Sequence, residues 1–149
     1  MHKTARVRAP LSPPPAQYLR DDVVRGGIDL LFFAHRSHLA HADAELAARK
    51  LGRAHHRVLY FVGRYPDLSV SDLLKILGVT KQPVGRVMKD LIERALIDVK
   101  SGTRDRRQRL LTLTREGQDL EAGLFEDLRR NMARAYQEAG EGAVQAFGC

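Results

Sequence analysis

Lys81, Gln82, Gly85, Arg86 and Lys89 recur at a spacing that lines one side of a helix. They are hydrogen-bond donors around a residue with no side chain. Long donors with a small residue between them can approach the acceptor-rich base edges of a duplex major groove. A second group, Arg104-Asp105-Arg106-Arg107, gathers three guanidinium groups and one carboxylate in four residues, a composition suited to phosphate oxygens. From Lys81 to Arg109, nine Lys or Arg stand against four Asp or Glu, so +5 of the chain's formal +7 falls within 29 residues. A solvated basic face with no partner would not need the helix and hairpin pattern that surrounds these charges.

Two short helices and a hairpin are required to hold them. Ser69-Val70-Ser71-Asp72 has the form of a capping box, a hydroxyl at the helix start and a carboxylate three residues on. Val70, Leu73, Leu74 and Leu77 follow at helical spacing, and Gly78 ends the helix in the left-handed conformation that glycine tolerates. Thr80 then caps a second helix whose apolar face is Val84, Val87, Met88, Leu91, Ile92 and Ala95. Pro83 costs it no hydrogen bond, because first-turn amides have no intrahelical partner. Ile97 to Lys100 and Arg109 to Leu113 are β-prone runs, and Gly102 with the basic tip between them predicts a winged hairpin.

The flanks read as helical. Tyr18 to about Lys50 is expected to form one long region, kinked near Gly26-Gly27, with Val23, Val24, Leu30, Leu31, Phe33 and Leu46 as apolar members. Leu30-Leu31-Phe32-Phe33 is apolar nearly all round and needs burial on more than one side. Arg53 to Arg64 forms a further helix with Val58, Leu59 and Val62 inward, ended by Gly63 and Pro66. From Thr114 the chain is helical again, and Leu120, Leu124, Leu128 and Met132, with Phe125 beside them, make a stripe with no later partner in sequence. Such terminal stripes predict a homodimer built by exchange of N- and C-terminal helices. At 149 residues the expected organisation is a flexible, basic, Pro-rich arm over 1–17, then a single domain over 18–149. Within it the winged helix-turn-helix spans about 53–113, and the dimerisation helices span about 18–50 and 114–147. The fold class is mainly α with a small β-hairpin wing.

Other classes are disfavoured. No run of 18 or more apolar residues suggests a membrane span, and the absence of an apolar leader points to the cytoplasm. The single cysteine, Cys149, cannot pair internally. Neither a Gly-rich phosphate loop nor a Gly-x-Ser-x-Gly elbow is present, and Asp21-Asp22 suits a helix start, so no catalytic residue is assigned. His35, His38 and His41, spaced i, i+3, i+6, would need Asp43 or Glu45 to complete a four-ligand zinc site. Histidines packed at a dimer seam are the preferred reading, and no metal or cofactor is assigned. His55, in register with Val58, Leu59 and Val62, reads as a hydrogen-bonded helix-face residue.

The pattern resembles the MarR family of bacterial transcription regulators. The resemblance rests on Ser69-x-Ser71-x-x-Leu74, Thr80-Lys81-Gln82-x-Val84, Leu91-Ile92-Glu93-Arg94-Ala95-Leu96-Ile97, the tip Arg104-Asp105-Arg106-Arg107, and Leu111-Thr112-Leu113-Thr114-x-x-Gly117. It implies a homodimer that binds double-stranded DNA at a palindromic operator. By position, Ser71, Thr80, Lys81, Gln82, Gly85, Arg86 and Lys89 would face the major groove or its phosphates. Arg104, Arg106 and Arg107 would serve the wing, with Asp105 orienting an arginine. It also implies a small-molecule effector pocket, with Phe33, Arg36, Ser37 and Tyr60 as its lining. Family hairpins often carry Asp-Pro where this chain has Gly102-Thr103, which predicts a more flexible wing tip. Two alternatives are a winged module that binds protein and an architectural DNA binder without sequence preference; the concentrated basic face argues against the first more firmly than against the second.

Overall fold

A hydroxyl cap and a glycine cap set both ends of the helix that begins after Ser69. Ser69 Oγ accepts the Asp72 amide at 3.1 Å and donates to Asp72 Oδ2 at 2.8 Å, and Gly78 closes the same helix at φ 63°. The computed structural model describes residues 20–142. In order these are α1 (Asp21–His38), α2 (Ala40–Ala48), α3 (Arg53–Arg64), β1 (Leu68–Ser69), α4 (Val70–Leu77), α5 (Lys81–Glu93), β2 (Ile97–Ser101), β3 (Arg109–Leu113) and α6 (Arg115–Ala139). The chain divides into two compact units, one running up to Ser37 and the other beginning at His38. The expected arm over residues 1–17, the stretch 143–147 expected to be helical, and Cys149 lie outside the described residues.

In the larger unit the strands form one antiparallel sheet in the order β1-β3-β2. Ile97 faces Leu113 and Val99 faces Leu111 across β2 and β3, while Leu68 of β1 pairs with Leu111 from the other side. The core lies between this sheet and the helices: Leu46, Leu59, Leu73, Leu91, Ile97, Leu111 and Leu124 are almost wholly buried. Burial of such side chains contributes about 1.5 to 3 kcal/mol each, and this anchors α4 and α5.

The expected wing gains a third strand. Leu68–Ser69 is too short for a periodicity signal and is a strand only because β3 offers it a free edge. The long N-terminal helix is interrupted at Leu39, which follows α1 with φ −95° and ψ −5°, and not at Gly26-Gly27, which sit inside α1. Gly63 does not stop α3. It lies within the helix, where an added Cβ would come within 3.0 Å of Leu113 Cδ1, so glycine there permits close packing on the sheet. Ala95 is exposed at φ 55° and belongs to the turn after α5, outside its apolar face. The α6 stripe is partly satisfied within the chain: Leu124 is buried and Leu120 packs on the core, whereas Phe125 and Met132 are exposed.

The Leu-Thr-x-x-Gly motif has a structural cause. Thr114 caps α6 by accepting the Gly117 amide at 3.0 Å, while its own hydroxyl donates to Ala95 O at 2.6 Å. The Thr114 amide donates to Leu96 O at 3.1 Å. Any Cβ at position 117 would overlap that same Leu96 carbonyl. The motif thus fixes the start of α6 against the turn leaving α5. In the smaller unit no residue of α1 is buried; Leu30, Leu31, Phe32 and Phe33 are 69%, 69%, 72% and 61% exposed.

Candidate nucleic-acid interface

Val84, Met88 and Leu91 turn into the core and fix the roll of α5. The remaining face then presents Lys81, Gln82, Gly85, Arg86 and Lys89, all exposed. Thr80 is at the N-cap in extended conformation but makes no side-chain cap bond, so its hydroxyl does not close the helix as the sequence suggested. Ser71, on the first turn of α4, is exposed as well. Pro83 occupies the first turn of α5, where its missing amide removes no intrahelical bond.

The wing is closed tightly. Gly102 N–H donates to Gln108 O at 2.9 Å and Gln108 N–H donates to Asp105 O at 3.0 Å. Gly102 is buried, and a Cβ there would stand 2.5 Å from Asp105 O. Glycine therefore serves a close backbone approach at this position. Asp105 acts differently from expectation. Its Oδ1 accepts the Arg107 backbone amide at 2.9 Å and no guanidinium, so it shapes the loop that carries Arg104, Arg106 and Arg107. All three arginines are exposed.

Charge pairing distinguishes this region. Of the nine basic residues from Lys81 to Arg109, Lys89 pairs with Glu93 at 3.7 Å and Arg94 with Asp90 at 2.7 Å. The other seven, Lys81, Arg86, Lys100, Arg104, Arg106, Arg107 and Arg109, have no ion-pair partner among the described residues. The Lys89 pair is exposed on both sides, where water and salt leave such an interaction worth little. Uncompensated cations on a helix and an adjoining hairpin create the potential that attracts a polyanion.

Sequence reasoning left two groups out of the site. Arg109 lines a cleft of about 360 Å³ whose wall also includes Lys81, Val84, Met88 and Lys89. The available signal was its place among the basic residues of the hairpin, at the exposed start of β3. Asp90 of α5 was missed because its partner, His55, lies 35 residues away.

The histidines are placed individually. His55 makes the helix-face hydrogen bonds expected of it, with Gly52 N–H donating to its Nδ1 at 3.1 Å. His41 Nε2 lies 3.0 Å from Asp127 Oδ2, and His56 is buried, where desolvation holds its pKa below the ordinary histidine value. No group of three or more His, Cys, Asp or Glu among the described residues is arranged to hold a metal ion. Of the residues expected to line an effector pocket, Phe33, Arg36 and Ser37 lie on α1 and Tyr60 on α3. A second cleft, of about 500 Å³, is lined by residues that include Arg49, Leu51, Arg94 and Glu116.

A reading helix seated by its apolar face, a preceding helix across a glycine turn and a basic hairpin define the winged helix-turn-helix class. Residues 50–108 match the family model described as MarR family. The chain is 44% identical over 130 residues to the HTH-type transcriptional regulator PetP of Rhodobacter capsulatus, covering 87% of this chain and 78% of that protein. Its fold is similar to FabT of Streptococcus pneumoniae in complex with DNA, at 19% identity and a TM-score of 0.68 over 84% of this chain and 90% of that one. It is likewise similar to a Staphylococcus aureus MarR in complex with salicylate and kanamycin, at 18% identity and a TM-score of 0.68 over 85% and 86% of the two chains. The chain belongs to the MarR family and is a winged helix-turn-helix transcription regulator.

Proposed function

We propose that the protein is a sequence-specific repressor that binds a palindromic operator as a homodimer and is released by a small anionic effector. The observation that carries the DNA reading is the set of seven cations on α5 and the wing that have no ion-pair partner among the described residues. In this reading Gln82 and Arg86 contact base edges across Gly85. Ser71, Thr80, Lys81 and Lys89 hold phosphates flanking the groove, while Arg104, Arg106 and Arg107 follow the backbone onto the next groove. The function is binding without catalytic chemistry, in the cytoplasm. No helix among the described residues is long and apolar enough to cross a membrane.

The homodimer is supported by the exposed apolar side chains of α1 and by Phe125, Met132 and Tyr136 of α6, which leave surface that a second copy would cover. The effector is supported by the salicylate complex of the Staphylococcus aureus relative. Anisotropy titration of labelled duplex DNA at several salt concentrations tests the DNA reading. Neutralising Arg104, Arg106 and Arg107 together should reduce the salt slope by about one unit for each phosphate that these arginines neutralise in the wild type. An unchanged slope would remove the wing from the interface. Salicylate added to the bound complex tests release; no effect on affinity at millimolar concentration would count against an effector of this chemistry.

A further inference from the structure

Asp90 lies one turn beyond Arg86 on α5, partly buried, with its side chain 36% exposed. Its Oδ2 is 2.9 Å from His55 Nε2 of α3, and its Oδ1 accepts from Arg94 Nε at 2.7 Å. Both partners lead to the same place. His55 Nδ1 accepts the Gly52 amide at 3.1 Å, so the neutral ring carries its proton on Nε2 and donates it to Asp90. Arg94 Nη1 donates to Arg49 O at 2.9 Å. One carboxylate therefore joins α5 to the turn between α2 and α3 through two chains of hydrogen bonds.

The apolar seat formed by Val84, Met88 and Leu91 holds α5 against the core, but hydrophobic packing is non-directional and resists small slides and rolls weakly. Charge-assisted hydrogen bonds are short and directional. Base recognition tolerates errors of only about 0.5 Å in the placement of the reading groups. We propose that Asp90 is a positioning residue for sequence discrimination, fixing the pitch of α5 so that Gln82 and Arg86 meet base edges in register. This rests on the reading of α5 as the DNA-reading helix.

Electrostatics and positioning predict opposite signs. Asp90 is a negative charge on a lobe that approaches phosphates, so removing it should tighten binding to every duplex if charge alone matters. Loss of the brace should instead weaken operator binding and leave other duplexes unaffected.

The test titrates the full-length wild type and Asp90→Asn against a genomic fragment recovered with the wild-type protein and against a scrambled duplex of the same composition, each at three salt concentrations. The expected result is about tenfold weaker binding of the fragment by Asp90→Asn, the scale of a lost charged hydrogen bond. The salt slope should be unchanged, binding of the scrambled duplex equal or slightly tighter, and Asp90→Glu should recover part of the loss. A folded Asp90→Asn that keeps the wild-type ratio of the two affinities overturns the proposal, because lowered thermal stability with an intact ratio is the mark of a merely structural role. Should circular dichroism find that variant unfolded, Arg94→Lys keeps the charge but loses the bond to Arg49 O. It is expected to show the same selective loss, and parity with wild type overturns the proposal equally. A wild-type protein that binds both duplexes alike would overturn the DNA reading itself and the brace with it.

Discussion

At the scale of single residues, side chains of similar charge are expected to fail in different ways. Gln82→Ala or Arg86→Ala should cost about 1 to 3 kcal/mol at an operator if the side chain makes a bidentate base contact, and should narrow the gap between operator and mutated operator in competition titrations. Lys89→Ala should weaken all duplexes alike and lower the salt slope by roughly one unit. Asp105→Ala sets charge against architecture: removing a carboxylate favours binding electrostatically, yet this carboxylate holds the Arg107 amide. Weaker binding is the expected outcome, and unchanged or improved affinity would mean that the loop keeps its shape without it. His56 supplies a pH dependence of folding. It faces Asp43 and His38, and desolvation holds its folded-state pKa below the ordinary 6.5. The unfolded chain therefore takes up this proton first, so stability is complete above about 6.5 and is lost as pH falls below it. Urea unfolding at pH 5.5 and 7.5 should show that loss, and His56→Gln should flatten it.

At the scale of elements, the positions that matter most are the junctions. Gly117→Ala drives a methyl group into the Leu96 carbonyl at the start of α6 and should destabilise the fold by about 3 kcal/mol, measured by denaturant midpoint. Ser69→Ala removes the α4 cap and should cost about 1 kcal/mol. A cost near zero at either position would detach that motif from stability. The α4–α5 pair was legible in the sequence because its signals are local: apolar residues at helical spacing in both helices, and the Gly78 stop between them. The strand pair of the wing was legible for the same reason, since two short β-prone runs, Ile97 to Lys100 and Arg109 to Leu113, flank Gly102 and the basic tip. What escaped is non-local or carries no residue signature. Leu68–Ser69 is a strand only because β3 accepts it, and the interruption at Leu39 involves neither Gly nor Pro. The Asp90 brace joins side chains 35 residues apart, which no spacing rule relates. Gly63 and Gly102 were visible as glycines, but their use as close-approach positions required the neighbouring elements.

At the scale of the whole molecule, reading a palindrome requires a second copy of the chain. Leu30, Leu31, Phe32 and Phe33 are more than half exposed, a cost that association would offset. Because Leu124 is already buried within the chain, cutting the chain after Gly123 would damage the fold as well as any interface and so would not separate the two. Leu31→Asp together with Phe32→Asp leaves the larger unit untouched and should yield folded monomers in sedimentation velocity, against about twice the 16.7 kDa chain mass for wild type. A folded wild-type monomer would contradict the dimer. The central claim, that α5 and the wing read a particular DNA sequence, is tested most directly by selecting genomic fragments with the full-length protein and sequencing what is retained. The predicted result is enrichment of a two-fold symmetric sequence, with half-sites about one helical turn apart, and loss of that enrichment in Arg86→Ala. Retention of fragments without a shared sequence would contradict it and identify a binder that senses only the phosphate backbone.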